Sequence, residues 1–136
     1  MKKSNVWLVD DDEIYLFITE SILKDLSKNL QVDSFMDGGL AIRHIEQCIE
    51  EDVDLPELIL LDINMPFLDG WGFLTKFKEL KPKLVEHIHI IMVTSSNDQR
   101  DLKRAYEFQE LTGYVVTPVF EDKLAEILEE VYQDDW

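Results

Sequence analysis

A fivefold alternation constrains this chain more than any other feature: a short apolar run, then a stretch with apolar residues at helical spacing. The runs are Val6-Trp7-Leu8-Val9, Val32 to Phe35, Leu58-Ile59-Leu60-Leu61, Ile88 to Val93 and Tyr114-Val115-Val116. Three of them are apolar at almost every position, which suits strands covered on both faces. Short connections between strand and helix predict a parallel sheet with helices on both sides, an α/β doubly wound fold. No Gly/Ser or Pro-rich linker, repeat or low-complexity tract interrupts the 136 residues, so residues 1–136 read as a single domain.

The helical stretches carry the rest of the expected core. Ile14, Phe17, Ile18, Ile22 and Leu26 share one face of the first, with Asp12 placed to cap it. Ala41, Ile45, Cys48 and Ile49 mark the second, and Phe73, Leu74, Phe77 and Leu80 the third. The fifth shows Phe120, Leu124, Ile127, Leu128 and Val131. The fourth is thin: Ser96 and Gln99 suggest a capping box, but only Leu102, Ala105 and Tyr106 form a stripe. A helix with so little to bury is expected to be held loosely.

Charge excludes several function classes. A formal net charge of −16 speaks against nucleic-acid binding, which needs Lys and Arg on phosphates. No apolar run approaches the roughly 20 residues of a membrane span. The two lysines at the N-terminus precede no long apolar stretch or cleavage site, so no secretory signal is read and the expected location is cytoplasmic. Cys48, the only cysteine, sits in a helical apolar pattern and reads as a buried core thiol.

In doubly wound folds ligands bind beyond the carboxyl ends of the strands. The residues at those positions are Asp10, Asp11 and Asp12 after the first strand, and Asp62 with Ile63-Asn64-Met65-Pro66 after the third. Thr94, Ser95 and Ser96 follow the fourth, and Thr117 and Pro118 the fifth. Asp12 reads mainly as a helix cap. Carboxylates converging at one sheet end repel each other and raise each other's pKa values. Mg²⁺, which favours oxygen ligands and uses one or two protein carboxylates, relieves that repulsion and is half of a phosphoryl-transfer apparatus.

These segments resemble the receiver domain of two-component response regulators over nearly the whole chain. The resemblance rests on Leu8-Val9-Asp10-Asp11, on Leu60-Leu61-Asp62-Ile63-Asn64-Met65-Pro66 with Asp69-Gly70, on Val93-Thr94-Ser95-Ser96 and on Gly113 to Pro118. It implies a flavodoxin-like fold of five parallel strands, order 2-1-3-4-5, with five helices. It also implies that Asp62 accepts a phosphoryl group from a histidine kinase or histidine phosphotransfer protein. Asp11 would ligate Mg²⁺ directly, Asp10 through water, and Asn64 through its backbone carbonyl, with Asp62 itself also in the ligand set. Thr94 would hydrogen-bond the phosphoryl group, Tyr114 would be the aromatic switch, and Asn64 and Ser96 would tune dephosphorylation. Pro118 is expected to follow a cis bond. Output would pass through contacts with a downstream protein, since no output domain is read in the chain.

One position departs from the family pattern. Thr117 stands where the family has a lysine that pairs with the acidic site and then with the phosphoryl group. Lys123, in the next helix, is expected to point away. Nucleophile and metal ligands are intact, so phosphorylation is expected with weakened switching, and the alternative is an adaptor that has lost the switch. A haloacid-dehalogenase-type phosphatase also uses an aspartate nucleophile and Mg²⁺, but needs a second acid two residues on, where this chain has Asn64. Residues 50–56 and 81–87 look extended and are candidate partner surfaces. Trp136 reads as the end of a loose terminus, or else as a contact residue.

Overall fold

The computed structural model describes residues 4–133 and Trp136. The N-terminal lysines and the acidic pair Asp134–Asp135 lie outside these residues. Five strands run β1 (Ser4–Val9), β2 (Leu30–Phe35), β3 (Leu58–Leu61), β4 (His89–Thr94) and β5 (Leu111–Val116). Between and after them come α1 (Glu13–Leu26), α2 (Gly38–Glu51), α3 (Gly70–Leu80), α4 (Gln99–Tyr106) and α5 (Glu121–Tyr132). A 3₁₀ turn, Lys81–Lys83, extends α3. All neighbouring strands pair in parallel in the order β2-β1-β3-β4-β5, as expected.

Alternation along the central strands splits the core in two. Val6, Leu8, Leu58, Leu60, Ile91 and Val93 face the layer built by α1 and α5. Trp7, Val9, Ile59, Leu61, Ile90 and Met92 face α2 and α3. This is why the runs are continuously apolar: each strand buries side chains in both directions, at about 1.5–3 kcal/mol per large aliphatic side chain. Trp7, wholly buried, packs against Phe35 at 4.6 Å and His44 at 5.3 Å between ring centroids.

Aspartates start four of the five helices. The carboxylates of Asp12, Asp37, Asp69 and Asp98 each accept a backbone N–H from the first turn of α1, α2, α3 and α4. Part of the chain's acidity is therefore local structure, since such caps satisfy donors the helix itself cannot. Cys48 is buried, as its helical spacing predicts.

Four expectations need correction. In α1 the buried face is Leu16, Thr19 and Leu23, while Ile14, Phe17 and Ile18 are exposed. The first two turns of α1 are apolar almost all round, so periodicity alone offers two faces, and the sheet selects the second. In α4 the cap is Asp98 rather than Ser96, and of the expected stripe only Ala105 is buried, with Tyr106 in solvent. Phe120 stands at the N-cap of α5, exposed, and not on its core face. The C-terminus also differs from a loose end: Trp136 packs partly on the α1/α5 layer and its Nε1 donates to Glu129 Oε2 at 2.8 Å.

Gly70 fixes the approach of α3 to β3. Its N–H donates to the Ile63 carbonyl at 2.8 Å, and a Cβ there would collide with the Asp62 carbonyl oxygen and lie 2.9 Å from Ile63 Cα. Both obstacles are backbone and cannot swing aside. Gly70→Ala is expected to cost about 1–3 kcal/mol in urea unfolding. A cost near zero would mean that α3 is free to retreat from the Asp62 segment.

Candidate functional site

The parallel pairing of β1 with β3 sets Val9 opposite Leu61, so the next residues of each, Asp10 and Asp62, leave the sheet side by side. Asp10 N–H still donates to Phe35 O at 3.0 Å and Asp62 N–H to Val9 O at 2.9 Å, which fixes both backbones. One carboxylate oxygen from each of Asp10, Asp11 and Asp62 lies within 4.8 Å of the others. Asp10 is buried, Asp62 half-buried and Asp11 exposed.

Two of these carboxyls are pushed far up. Asp10 is raised from 3.8 to about 7, chiefly by burial and further by the charges of Asp62, Asp11 and Asp12, against an opposing hydrogen bond from Asp12 N–H at 2.9 Å. Asp62 is raised to about 6 by burial and by Asp11, opposed by Ile63 N–H at 2.8 Å. An all-oxygen donor set, crowded and short of counter-charge, fits a hard divalent cation such as Mg²⁺.

The site opens into a cleft of about 820 Å³. Asn64, Thr94, Ser95, Thr117 and Pro118 line it with the carboxylates, so the expected strand-end residues do converge. The Thr94 side chain is almost fully buried, and its Oγ1 accepts Ser96 N–H at 3.2 Å. Thr117 N–H donates to Thr94 O at 2.8 Å, and the Thr117–Pro118 bond is cis, as expected. Among the described residues lining the cleft none is Lys or Arg, and Lys123 Nζ is engaged with Glu126 Oε1 at 3.3 Å.

Two of the expected residues lie outside the cleft. Ser96 turns its hydroxyl to Asp101 Oδ2 at 2.6 Å, and Ser95 takes the cleft position. Tyr114 packs on the α2/α3 layer, and its hydroxyl donates to the Ser96 carbonyl at 3.0 Å. Sequence reasoning missed the apolar half of the cleft: Ile14, Tyr15, Ile18, Ile22, Val119 and Phe120. Burial pushes the Tyr15 hydroxyl up to about 12. The all-round apolar start of α1 was the available signal, because a second apolar face that the sheet does not cover must face something else.

A family model for the response regulator receiver domain matches residues 6–129. The chain belongs to that family. Response regulator Rcp1 of Synechocystis sp. is 30% identical over 103 residues, 75% of this chain and 69% of Rcp1. A two-component response regulator from Cytophaga hutchinsonii superposes with a TM-score of 0.83 at 26% identity, covering 98% of this receiver and all of that chain (100%). The receiver domain of the sensor histidine kinase PA1611 from Pseudomonas aeruginosa shares the fold, with a TM-score of 0.78 at 22% identity over 95% of this chain and 97% of its own. Its active-site cleft holds a coordinated magnesium ion.

The raised carboxyls give this receiver a signed pH response. A carboxyl whose pKa folding raises favours the fold while protonated, below about 4, and that contribution is lost as pH rises through about 6 for Asp62 and about 7 for Asp10. In metal-free buffer, Asp10→Asn is expected to match the wild type near pH 4 and to exceed it by about 2–4 kcal/mol at pH 8 in urea unfolding. Added Mg²⁺ should narrow the gap at pH 8. A gap that does not widen with pH would show that Asp10 is not strained by its own charge.

Proposed function

We propose that this receiver accepts a phosphoryl group on Asp62, in a Mg²⁺-dependent reaction with a phosphohistidine donor, and signals through protein contacts. The convergence of Asp10, Asp11 and Asp62 within 4.8 Å, beside Thr94 at the carboxyl end of the sheet, carries this reading. The ionised Asp62 oxygen would attack phosphorus as the donor's P–N bond breaks and the imidazole departs, leaving an aspartyl phosphate. Asp11, Asp10 and the Asn64 carbonyl would hold Mg²⁺, whose chemistry there is to neutralise phosphoryl oxygens. The family membership and the magnesium in the PA1611 receiver support a metal at this end of the sheet.

Thr94 has its hydroxyl hydrogen available, because Oγ1 serves as the acceptor for Ser96 N–H. Donating that hydrogen to a phosphoryl oxygen would draw the β4–α4 loop inward. Tyr114 is tied to the same loop through the Ser96 carbonyl, so a shift there would reach β5 and α4. Exposed Ile14, Phe17 and Ile18 on α1, with Phe120 beside the cleft, give a donor's helix an apolar face to lie on.

A second reading, an adaptor with a weakened or lost switch, is favoured by Thr117 and by the lack of a basic side chain among the described residues of the cleft. Intact-mass analysis after incubation with acetyl phosphate separates the two. A single phosphoryl adduct is expected, lost in Asp62→Asn and without Mg²⁺. No adduct from acetyl phosphate or from a phosphohistidine donor, with the protein folded and Mg²⁺ present, would leave the adaptor. Thr117→Lys is expected to enlarge the conformational response to phosphorylation, read as the change in Tyr114 environment by NMR.

A further inference from the structure

Glu110, in the turn just before β5, is a buried acid with nothing to neutralise it. It is 8% exposed, and among the described residues its carboxylate meets no hydrogen-bond donor and no cation. Acids are rarely buried unless paired, because a carboxylate taken from water without a partner is costly to the fold. The carboxyl-end cleft does not account for it. Ile90 pairs with Leu111, so Glu110 stands at the amino end of the sheet, the end opposite Asp62.

Glu110 lines a pocket of about 170 Å³ together with the segment that leads from α3 to β4. Phe77, Leu84 and Ile88, buried or half-buried, make its apolar inner wall. Residues 81–87, extended in the sequence, supply its rim, where Val85, Glu86 and His87 are exposed. Val85 is 98% exposed, an aliphatic side chain for which the isolated fold has no use. Lys81 also lines the pocket, but it is exposed and forms no ion pair with Glu110 or Glu86. Sites for whole small molecules run to about 300–1,000 Å³, whereas this pocket has room for one long side chain.

We propose that this pocket takes an arginine side chain of a partner protein, with its guanidinium on the Glu110 carboxylate. An acid set against an apolar wall suits a cation carried on an aliphatic stem. A bare divalent ion needs several oxygen ligands, and among the described residues only Asp10, Asp11 and Asp62 bring three such groups together. Guanidinium fits better than ammonium on two counts. Both Glu110 oxygens are free to accept its fork of N–H donors, and its weaker hydration lets it leave water at less cost. The His87 ring, set edge-on to His89 at 4.5 Å, gives its plane an aromatic neighbour. Free arginine would bring its own carboxylate towards Glu86, while an arginine within a chain brings none and can lay its backbone over Val85. The site lies at the other end of the sheet from Asp62, so it stands whether or not Asp62 accepts a phosphoryl group.

N-acetyl-arginine methylamide, titrated to about 20 mM with Mg²⁺ present, is expected to shift the NMR amide signals of Ile88, Glu110 and Leu111 saturably. The citrulline counterpart, alike in shape but uncharged, should bind about tenfold more weakly or worse. Glu110→Gln should weaken arginine binding by a similar factor, with circular dichroism establishing that the variant is folded. Should it not fold, the contrast between arginine and citrulline on the wild type decides alone. Shifts that do not saturate, shifts confined to the surroundings of Asp10 and Asp62, or an equal response to citrulline would each overturn the proposal. So would a folded Glu110→Gln that binds unchanged, or free arginine that binds more tightly than the blocked form.

Discussion

Like charge held at the end of an apolar sheet is the constraint around which this molecule is arranged. Parallel pairing puts the exits of β1 and β3 next to each other, and the residues at those exits are aspartates. Burial and mutual repulsion lift Asp10 to about 7 and Asp62 to about 6, so both carry charge at neutral pH only at a cost to the fold. The fold answers with backbone donors, Asp12 N–H to Asp10 and Ile63 N–H to Asp62, and, among the described residues, with no basic side chain in the cleft. Hydrogen bonds to a carboxylate offset part of such a cost but do not remove the charge. The surrounding core, built on both faces of β1, β3 and β4 from Val6 to Val9, Leu58 to Leu61 and Ile90 to Val93, keeps the exits in place against that repulsion.

The loop and helix that follow β4 contrast with that rigidity. Only Ala105 of α4 is buried, and its anchorage comes from Arg104 set 4.8 Å over the Trp71 ring and from the Trp71–Phe108 stack. The loop before it turns on Ser96, whose N–H, hydroxyl and carbonyl reach Thr94, Asp101 and Tyr114 in turn. On the proposed reading, a change at Thr94 would pass through these polar contacts to a helix with few apolar contacts to resist it. Low burial and a concentrated hydrogen-bond network are what a two-position element needs.

How legible this was in the sequence follows from what each residue does. The bounds of β3 were readable because Leu58 to Leu61 bury both ways, and the strand-end aspartates stood out because charge follows those runs at once. The start of β5 was not readable: Thr112 and Gly113 interrupt the apolar pattern, and the pairing shifts register between Ile90 and Ile91. In α1 two apolar stripes overlapped, and only the sheet's position chose between them. At α4, Ser96 and Asp98 both resemble caps, and Ser96 was spent on Asp101. The left-handed backbone of Phe67 left no trace, because no glycine marks it.

On the proposed reading, Thr117 sets how far the switch can go. A phosphoryl group arriving at Asp62 would meet Thr94 as a hydrogen-bond donor but, among the described residues, no side-chain cation within the cleft. One hydrogen bond to a charged acceptor contributes about 1.5–3 kcal/mol. A shift from 1:99 to 99:1 between two arrangements needs about 5.5 kcal/mol of differential interaction. Thr94 alone would therefore move the population roughly 10- to 150-fold, enough to bias the β4–α4 loop but not to commit it. The remainder would have to come from a partner that binds one arrangement better, which makes the docked protein part of the switch rather than only its reader.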